Sequence, residues 1–312
     1  MGAGEGVGLT LDTTAGRAAA RARRRRRRPG LATPALLGLP VSWLVVFFVV
    51  PIAIVAAYSV DVLVLFPGPH HFTFTPWRTF FSQGTYFPLF VKSVEMSLAV
   101  SAVVVAVAYP LAYFLALSGT RRKYVLLLVL IVPFLTSYLL RVLAWKVILG
   151  SQGVINSFLF WTGLRAEGHP LSFLLYSRFS VMLVLAYVWL PFVALPIFVT
   201  LESLDRRLLE AASDLYASRL QAFLRVTLPL SAPGVAAAFL FVFIPTVGEF
   251  VTPSLVGGTS GYMYGNQIVD LFQTGFPDWE TGAVLSLFLL AVILALTLVF
   301  VRFLRVGEAR TA

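Results

Sequence analysis

Apolar residues in this chain come in long unbroken runs, not in strict alternation and not on one face of each helical turn. Crossing about 30 Å of hydrocarbon takes about 20 residues of helix. Six runs meet that need: 36–58, 89–117, 124–149, 181–201, 234–256 and 283–301. None alternates as a strand would, and inside a bilayer each run satisfies its own backbone only as a helix. The pattern predicts an all-α polytopic membrane protein with six transmembrane helices. The third run is the most interrupted, because Arg141 and Lys146 fall in its second half. Polar residues collect in loops 61–88, 150–180 and 257–282 on one side and in loop 202–230 on the other. Residues 1–30 read as a disordered tail, 31–306 as the membrane domain and 307–312 as a second short tail.

Composition agrees with the pattern. The 312 residues are 59% hydrophobic and only 12% charged, against about 25% charge in soluble domains. The mean hydropathy is +0.88. Too little polar surface remains to cover a water-soluble globule.

The net charge of +10 raises nucleic acid as a partner, but its placement argues for orientation instead. Arg17, Arg21 and the run Arg23 to Arg28 stand directly before the first apolar run. A full-length span with no cleavage site after it is not a secretory signal. With the N-terminus inside, eighteen of the 24 Lys and Arg fall in inner segments and four (Arg78, Lys92, Arg165, Arg178) fall outside. The bias recurs at every inner loop, so both termini are expected in the cytoplasm. The basic tail suits anionic lipid headgroups, and no nucleic-acid partner is expected.

Several chemistries are excluded. With no cysteine there is no disulfide, thiolate nucleophile or thiolate metal site. The three histidines lack metal-ligand spacing, and adjacent His70 and His71 read as solvated loop residues. No lysine sits in a Gly-Lys-Ser/Thr sequence, so the chain has no P-loop, and the alternating glycines at 2–8 follow no strand. No cofactor is expected on this chain. The aromatic cluster Phe72, Phe74, Trp77, Phe80 and Phe81 of the first outer loop suits the headgroup level.

Loop 202–230 carries the most specific local signals. Asp205 is a good N-cap for a short helix from Arg206, with Leu208, Leu209, Ala212 and Leu215 as its apolar stripe. Ser218 with Gln221 makes a capping box that opens a second helix over 219–226, and Pro229 and Pro233 are expected to end it and open span five. Such a helix–turn–helix is either an amphipathic connector on the lipid surface or, given Ala211 and Ala212, a surface that a partner approaches closely.

The sequence Glu210-Ala211-Ala212, then Asp214-Leu215, Ala217-Ser218, Phe223, Arg225-Val226 and Leu228-Pro229-Leu230, resembles the EAA loop of ATP-binding-cassette importer permeases. The resemblance implies a type I importer permease fold over 31–306, in the bacterial plasma (inner) membrane. It implies that Glu210, Ala211, Ala212, Asp214, Leu215, Tyr216 and Ala217 form a coupling helix docking on a cytoplasmic ATPase. ATP-driven closure of two such ATPase subunits would then tilt this chain and a sister permease between inward- and outward-open states. ATP is bound by the partner, so the chain itself is not expected to be an enzyme. An extracytoplasmic solute-binding protein would dock outside. One departure stands out: the family usually has Gly where this chain has Tyr216. Either the turn is built differently, or Tyr216 adds a contact to its ATPase.

Two further stretches resemble spermidine/putrescine-type permeases, most closely the first of the two permease subunits. They are Val132-Pro133-Phe134 through Ser137-Tyr138-Leu139, Arg141 and Trp145, and Val247-Gly248-Glu249-Phe250-Val251-Thr252-Pro253. Permeases for iron(III) and thiamine share part of the pattern.

Ionisable groups inside spans mark functional candidates, since burying one costs about 2.5–3.5 kcal/mol. Glu249 follows Pro245 and Gly248, where the helix should break and expose carbonyls beside a carboxylate. It is either a solute-path residue or a cap on the broken backbone. Glu95 is a second path candidate, although Lys92 three residues earlier suggests an intrahelical pair. Trp145, one turn away, is expected to cover the Arg141 guanidinium, with both Arg141 and Lys146 snorkelling outward; either one facing the pore would repel a polyamine and suit an anionic solute instead. Tyr138, Tyr187 and Trp189 could form cation–π cages, but aromatics in spans more often pack, and none is carried into the solute site. Asp270, Asp278 and Glu280 make either an acidic vestibule or a solvated loop. An ion-gradient-driven transporter would need a second broken helix, of which the sequence shows no sign. An intramembrane enzyme would need clustered catalytic groups within the spans, and these are absent.

Overall fold

The computed structural model describes residues 32–62, 71–117, 122–166, 168–273, 275 and 277–311. The Arg-rich segment 1–30 and His70 lie outside the described residues. Among those described, regular structure is all helical. Six helices are long and apolar enough to cross a membrane: Gly38–Tyr58, Tyr86–Leu117, Tyr138–Trp161, Arg178–Glu202, Arg219–Val247 and Trp279–Arg302. They are spans one to six below. The final helix continues to Thr311, through residues assigned to a tail.

The chain divides into two compact units, Met1–Ala57 and Tyr58–Ala312. In the first, span one presents Leu39, Trp43 and Phe48 at 64–80% exposure and carries a π-turn at Val45–Val49. An apolar surface of that extent is stable in lipid and not in water.

The second unit is centred on spans two and four. Ser93, Ser97 and Ser101 recur every fourth residue on span two and are fully buried. The Ser97 and Ser101 hydroxyls donate back to the carbonyls of Ser93 and Ser97, each at 2.7 Å. Small side chains thus line this buried face without leaving a polar atom unpaired. Span four buries Val181, Val184, Leu185, Val188, Ile197 and Leu201 in the same core. Its start is fixed by a capping box in which Ser177 accepts from the Ser180 amide.

Span five lies close against span four at Gly234, where a Cβ would sit 2.0 Å from Thr200 Oγ1. Gly234→Ala is therefore expected to destabilise the fold by about 1–3 kcal/mol through overpacking. Thermal unfolding of the purified protein reads this as a lowered Tm.

Outside the spans, helix Tyr264–Gln273 is pinned through Tyr264. Its amide donates to Ser93 Oγ at 2.7 Å and its hydroxyl to the Leu285 carbonyl at 3.1 Å. Asp278 caps span six, accepting from the Thr281 amide at 2.9 Å. Phe80, expected at the headgroup level, is instead fully buried against Tyr86 and Phe288, while Phe72, Phe74 and Phe81 are exposed. His71 is exposed, as a solvated loop residue would be.

Two expectations about the spans are corrected. The third apolar run is not one helix. It comprises Lys123–Ile131, a 3₁₀ turn at Val132–Leu135, extended backbone at Thr136 (φ −79°, ψ 156°), and a new helix from Tyr138. Pro133, at the start of the 3₁₀ turn, has no N–H to continue the α-helical ladder. Span five begins earlier than expected, because Pro229 does not end the helix after Ser218. The chain passes from Arg219–Ala222 through a π-turn at Phe223–Thr227 directly into Leu228–Val247. In the π-turn the Leu228 amide bonds the Phe223 carbonyl, and this register shift accommodates the proline without a stop.

Candidate functional site

Two places combine unusual backbone with the residues singled out in the sequence. The first is the inner loop. Asp205 accepts from the Arg207 amide at 3.0 Å and starts helix Arg206–Asp214. Ser218 and Gln221 form the expected capping box. Between the helices, the Ala217 amide donates to the Ala212 carbonyl at 3.0 Å and the Tyr216 amide to the Ser213 carbonyl at 2.9 Å. That pair of bonds is the Schellman motif, with Tyr216 at the left-handed position (φ 58°). The turn is thus built as a glycine would build it, and the bulky residue accepts the strain.

Glu210, Ala211, Asp214, Leu215 and Tyr216 are exposed, while Ala212 and Ala217 are half-buried. Tyr216 is 97% exposed. Since αL backbone costs a non-glycine residue about 1–2 kcal/mol, Tyr216→Gly is expected to raise stability by about 1 kcal/mol. Denaturant unfolding of the purified chain measures it, and an unchanged or lower midpoint contradicts the strain.

The helix is tied to the spans rather than hung on a slack loop. Arg206 donates to the Ala116 carbonyl at the end of span two, at 3.4 Å. Glu202, just before the helix, pairs with Lys123 and accepts from the Tyr124 hydroxyl. Phe223 packs edge-on against Tyr109 and Tyr113 of span two, 5.8 and 5.5 Å between centroids. A force on Arg206–Asp214 therefore reaches spans two, four and five and the start of the third run together.

The second place is where two helix breaks meet. Span five ends at Val247, two residues past Pro245, and backbone 248–250 leads into a helical turn that widens into a π-turn at Pro253–Gly257. Glu249 is half-buried at the break. Its Oε1 accepts from the Val251 amide at 2.9 Å and the Thr252 amide at 3.2 Å. The carboxylate therefore caps the new helix, as one of the two sequence readings allowed. Gly265 presses on this break: a Cβ there would meet the Gly248 carbonyl oxygen at 2.4 Å. Asn266 braces it further, donating to the Phe250 carbonyl at 2.9 Å.

The break in the third run faces this one. The Tyr138 hydroxyl bonds Thr252 Oγ1 at 2.6 Å, and the amide of the same Thr252 donates to Glu249 Oε1 at 3.2 Å. Arg141 lies over the rings of Phe134 (4.6 Å) and Tyr138 (6.0 Å) rather than under Trp145, which packs on Tyr187 at 5.3 Å. Lys146 lies over Tyr176 at 5.8 Å. Sequence reasoning set Tyr138 aside from the solute site, gave Thr252 no role of its own, and missed this second break, for which Pro133 followed by Thr136-Ser137 is the only local sign.

Glu95 is not brought into this cluster. It is exposed on span two, and Lys92 does not pair with it but donates to the Tyr262 carbonyl at 2.8 Å. The outer acids divide by role. Asp270 accepts from the Tyr262 hydroxyl at 2.6 Å, and burial followed by this carboxylate pushes the Tyr262 phenol up from its usual range. Asp61, Asp278 and Glu280 line an open depression of about 310 Å³ together with Thr73, Thr75 and Thr79. The described residues hold no cluster of His, Asp or Glu suited to a metal ion.

Known proteins resemble this chain in sequence and in fold. The family described as the binding-protein-dependent transport system inner membrane component matches residues 13–312. The spermidine/putrescine transport system permease protein PotB of Escherichia coli (strain K12) is 37% identical over 217 residues, 70% of this chain and 78% of that protein. The inner membrane ABC transporter permease protein YdcU of the same organism is 32% identical over 297 residues, 90% and 92% of the two chains. Among solved structures, a chain of a bacterial alginate ABC transporter, crystallised with a periplasmic protein bound to alginate pentasaccharide, superposes with a TM-score of 0.64. It is 19% identical and covers 86% of this chain and 92% of that one. Two facing helix breaks alone would also suit an ion-driven carrier, but sequence likeness over nearly the full length decides against it: the chain is a multi-pass inner-membrane protein and belongs to the family of inner membrane components of binding-protein-dependent, ATP-binding-cassette transport systems.

Proposed function

We propose that this chain is one of two different permeases in an ATP-driven importer of polyamines such as spermidine and putrescine. The relatives named for that transport support the substrate class. The observation that carries the reading is the carboxylate of Glu249 at the meeting of two broken helices, beside aromatic rings. Broken helices in a membrane are tolerated where they line a cavity. A carboxylate with ring faces nearby suits an ammonium group by charge and by cation–π attraction. The acidic depression at Asp61, Asp278 and Glu280 would draw the same cation from outside.

Helix Arg206–Asp214 is the handle for the ATPase, with Glu210, Ala211, Asp214, Leu215 and Tyr216 presented to it and Ala212 and Ala217 supporting the turn. Two ATPase subunits supply the energy, so this chain binds no ATP or other cofactor and is not itself an enzyme. A solute-binding protein outside biases the pair of permeases toward the outward-open state through its higher affinity for it. Both termini are cytoplasmic by the distribution of Lys and Arg, with 1–30 and 307–312 as tails of the membrane domain 31–306. Glu95, on the exposed face of span two, is assigned to the outer part of the path.

The test is ATP-dependent uptake of labelled spermidine by the assembled importer in proteoliposomes, with putrescine, iron(III) and thiamine as competitors. Spermidine uptake blocked by putrescine alone is the expected result. Uptake blocked by thiamine or iron instead would replace the substrate, and uptake by this chain without any ATPase would overturn the mechanism.

A further inference from the structure

Arg141 is out of place in a route for cations. Its guanidinium sits at the break in the third apolar run, over the Phe134 ring at 4.6 Å and the Tyr138 ring at 6.0 Å. Its Nε and Nη1 are buried and donate to no acceptor among the described residues. A guanidinium normally spends its N–H groups on carboxylates or carbonyls, and leaving them unpaired away from water is unfavourable. The ring faces of Phe134 and Tyr138 meet the charge instead. The nearby carboxylate, Glu249, is engaged elsewhere: one oxygen caps the helix at Val251 and Thr252, and the same Thr252 bonds the Tyr138 hydroxyl. The seat that an ammonium group would take, ring faces next to a carboxylate, is thus already filled by a cation belonging to the protein.

We propose that Arg141 is a tethered cation that occupies the aromatic seat beside Glu249 and that an arriving ammonium group must displace. This rests on the polyamine reading above and deepens it. Two cations cannot share the faces of Phe134 and Tyr138, so the solute is held at a cost set by moving Arg141 aside. A weakly held solute leaves when the path opens inward, and the returning guanidinium helps expel it. Multivalent solutes, with a second ammonium to place elsewhere, bear that cost better than monoamines. The seat therefore favours polyamines over simple amines.

The assembly of this chain with its sister permease and ATPase, without the binding protein or nucleotide, is compared as wild type, Arg141→Gln and Arg141→Lys. Equilibrium binding of radiolabelled spermidine is expected to tighten about tenfold in Arg141→Gln, a change of about 1.4 kcal/mol, with slower ATP-dependent uptake. Arg141→Lys keeps the charge and is expected to stay near wild type in both. Because an unpaired buried charge is removed, Arg141→Gln should also melt no lower than wild type. Unchanged or weaker spermidine binding by an intact Arg141→Gln assembly overturns the proposal. So does loss of the sister subunit from that variant, which would make the guanidinium a seam residue whose missing acceptors lie on the partner. A wild type that takes up no spermidine fails at the earlier step, and that result removes the polyamine reading and this proposal together.

Discussion

Ala211→Arg is expected to leave the permease folded in the membrane while the ATPase no longer purifies with it and uptake falls about 100-fold or more. Ala211 is exposed on helix Arg206–Asp214, so a larger side chain displaces nothing within the chain. Arginine is also nearly as good a helix former as alanine. Whatever is lost therefore comes from the face presented to the ATPase. An interface built around a small residue places its partner's atoms within van der Waals contact, and a long charged side chain there brings both a clash and an unpaired charge. Such insertions cost several kcal/mol, and each 1.4 kcal/mol is tenfold in affinity. The anchoring of this helix to spans two and four through Arg206 and Glu202 explains why lost docking would abolish transport rather than slow it, since the ATPase would have no other hold on the spans. Normal ATPase recovery with Ala211→Arg would show that the partner grips another surface.

The inner helix pair was legible in the sequence because its determinants are local. Asp205 bonds an amide two residues on, and Ser218 and Gln221 exchange bonds across three. Signals of that range survive in one dimension. Tyr216 shows how far they reach: the residue type argues against a left-handed turn, and the turn forms because two backbone bonds close it. The helix breaks were half legible. Pro245 and Gly248 announced the one in span five, although the helix runs through Pro245 before stopping. The break in the third run lies in an apolar stretch, where hydropathy cannot distinguish one helix from two. It is held by Tyr138 and Thr252, 114 residues apart in sequence. The partner of Lys92 was likewise beyond reach, since Tyr262 lies 170 residues away while Glu95 stands within one turn. Arg141 carries the same lesson, because its position three residues past Tyr138 becomes informative only after the chain turns back to bring Phe134 over it.

Glu249→Gln is expected to reduce spermidine uptake by about 10- to 100-fold while leaving the fold intact, and the amide makes this a clean separation of two roles. Oε1 of Glu249 accepts from the Val251 and Thr252 amides, and a glutamine oxygen accepts the same two bonds. The break and the helix after it are therefore kept. What disappears is the negative charge. A hydrogen bond between a charged pair contributes about 1.5–3 kcal/mol, and its loss from a site that must hold an ammonium group gives the stated fold-change. Glu249→Ala removes cap and charge together, so it should add about 1 kcal/mol of destabilisation, seen as a lower Tm that Glu249→Gln does not share. If uptake is wild type in Glu249→Gln and falls only in Glu249→Ala, the carboxylate serves as a helix cap alone, and the ammonium seat must lie elsewhere on the path. If both variants lose uptake but only Glu249→Ala loses stability, the charge meets the solute. Retained uptake of a neutral or anionic solute by Glu249→Gln would separate a charge-specific role from damage to the path, because a collapsed path stops every solute and a missing charge stops only cations.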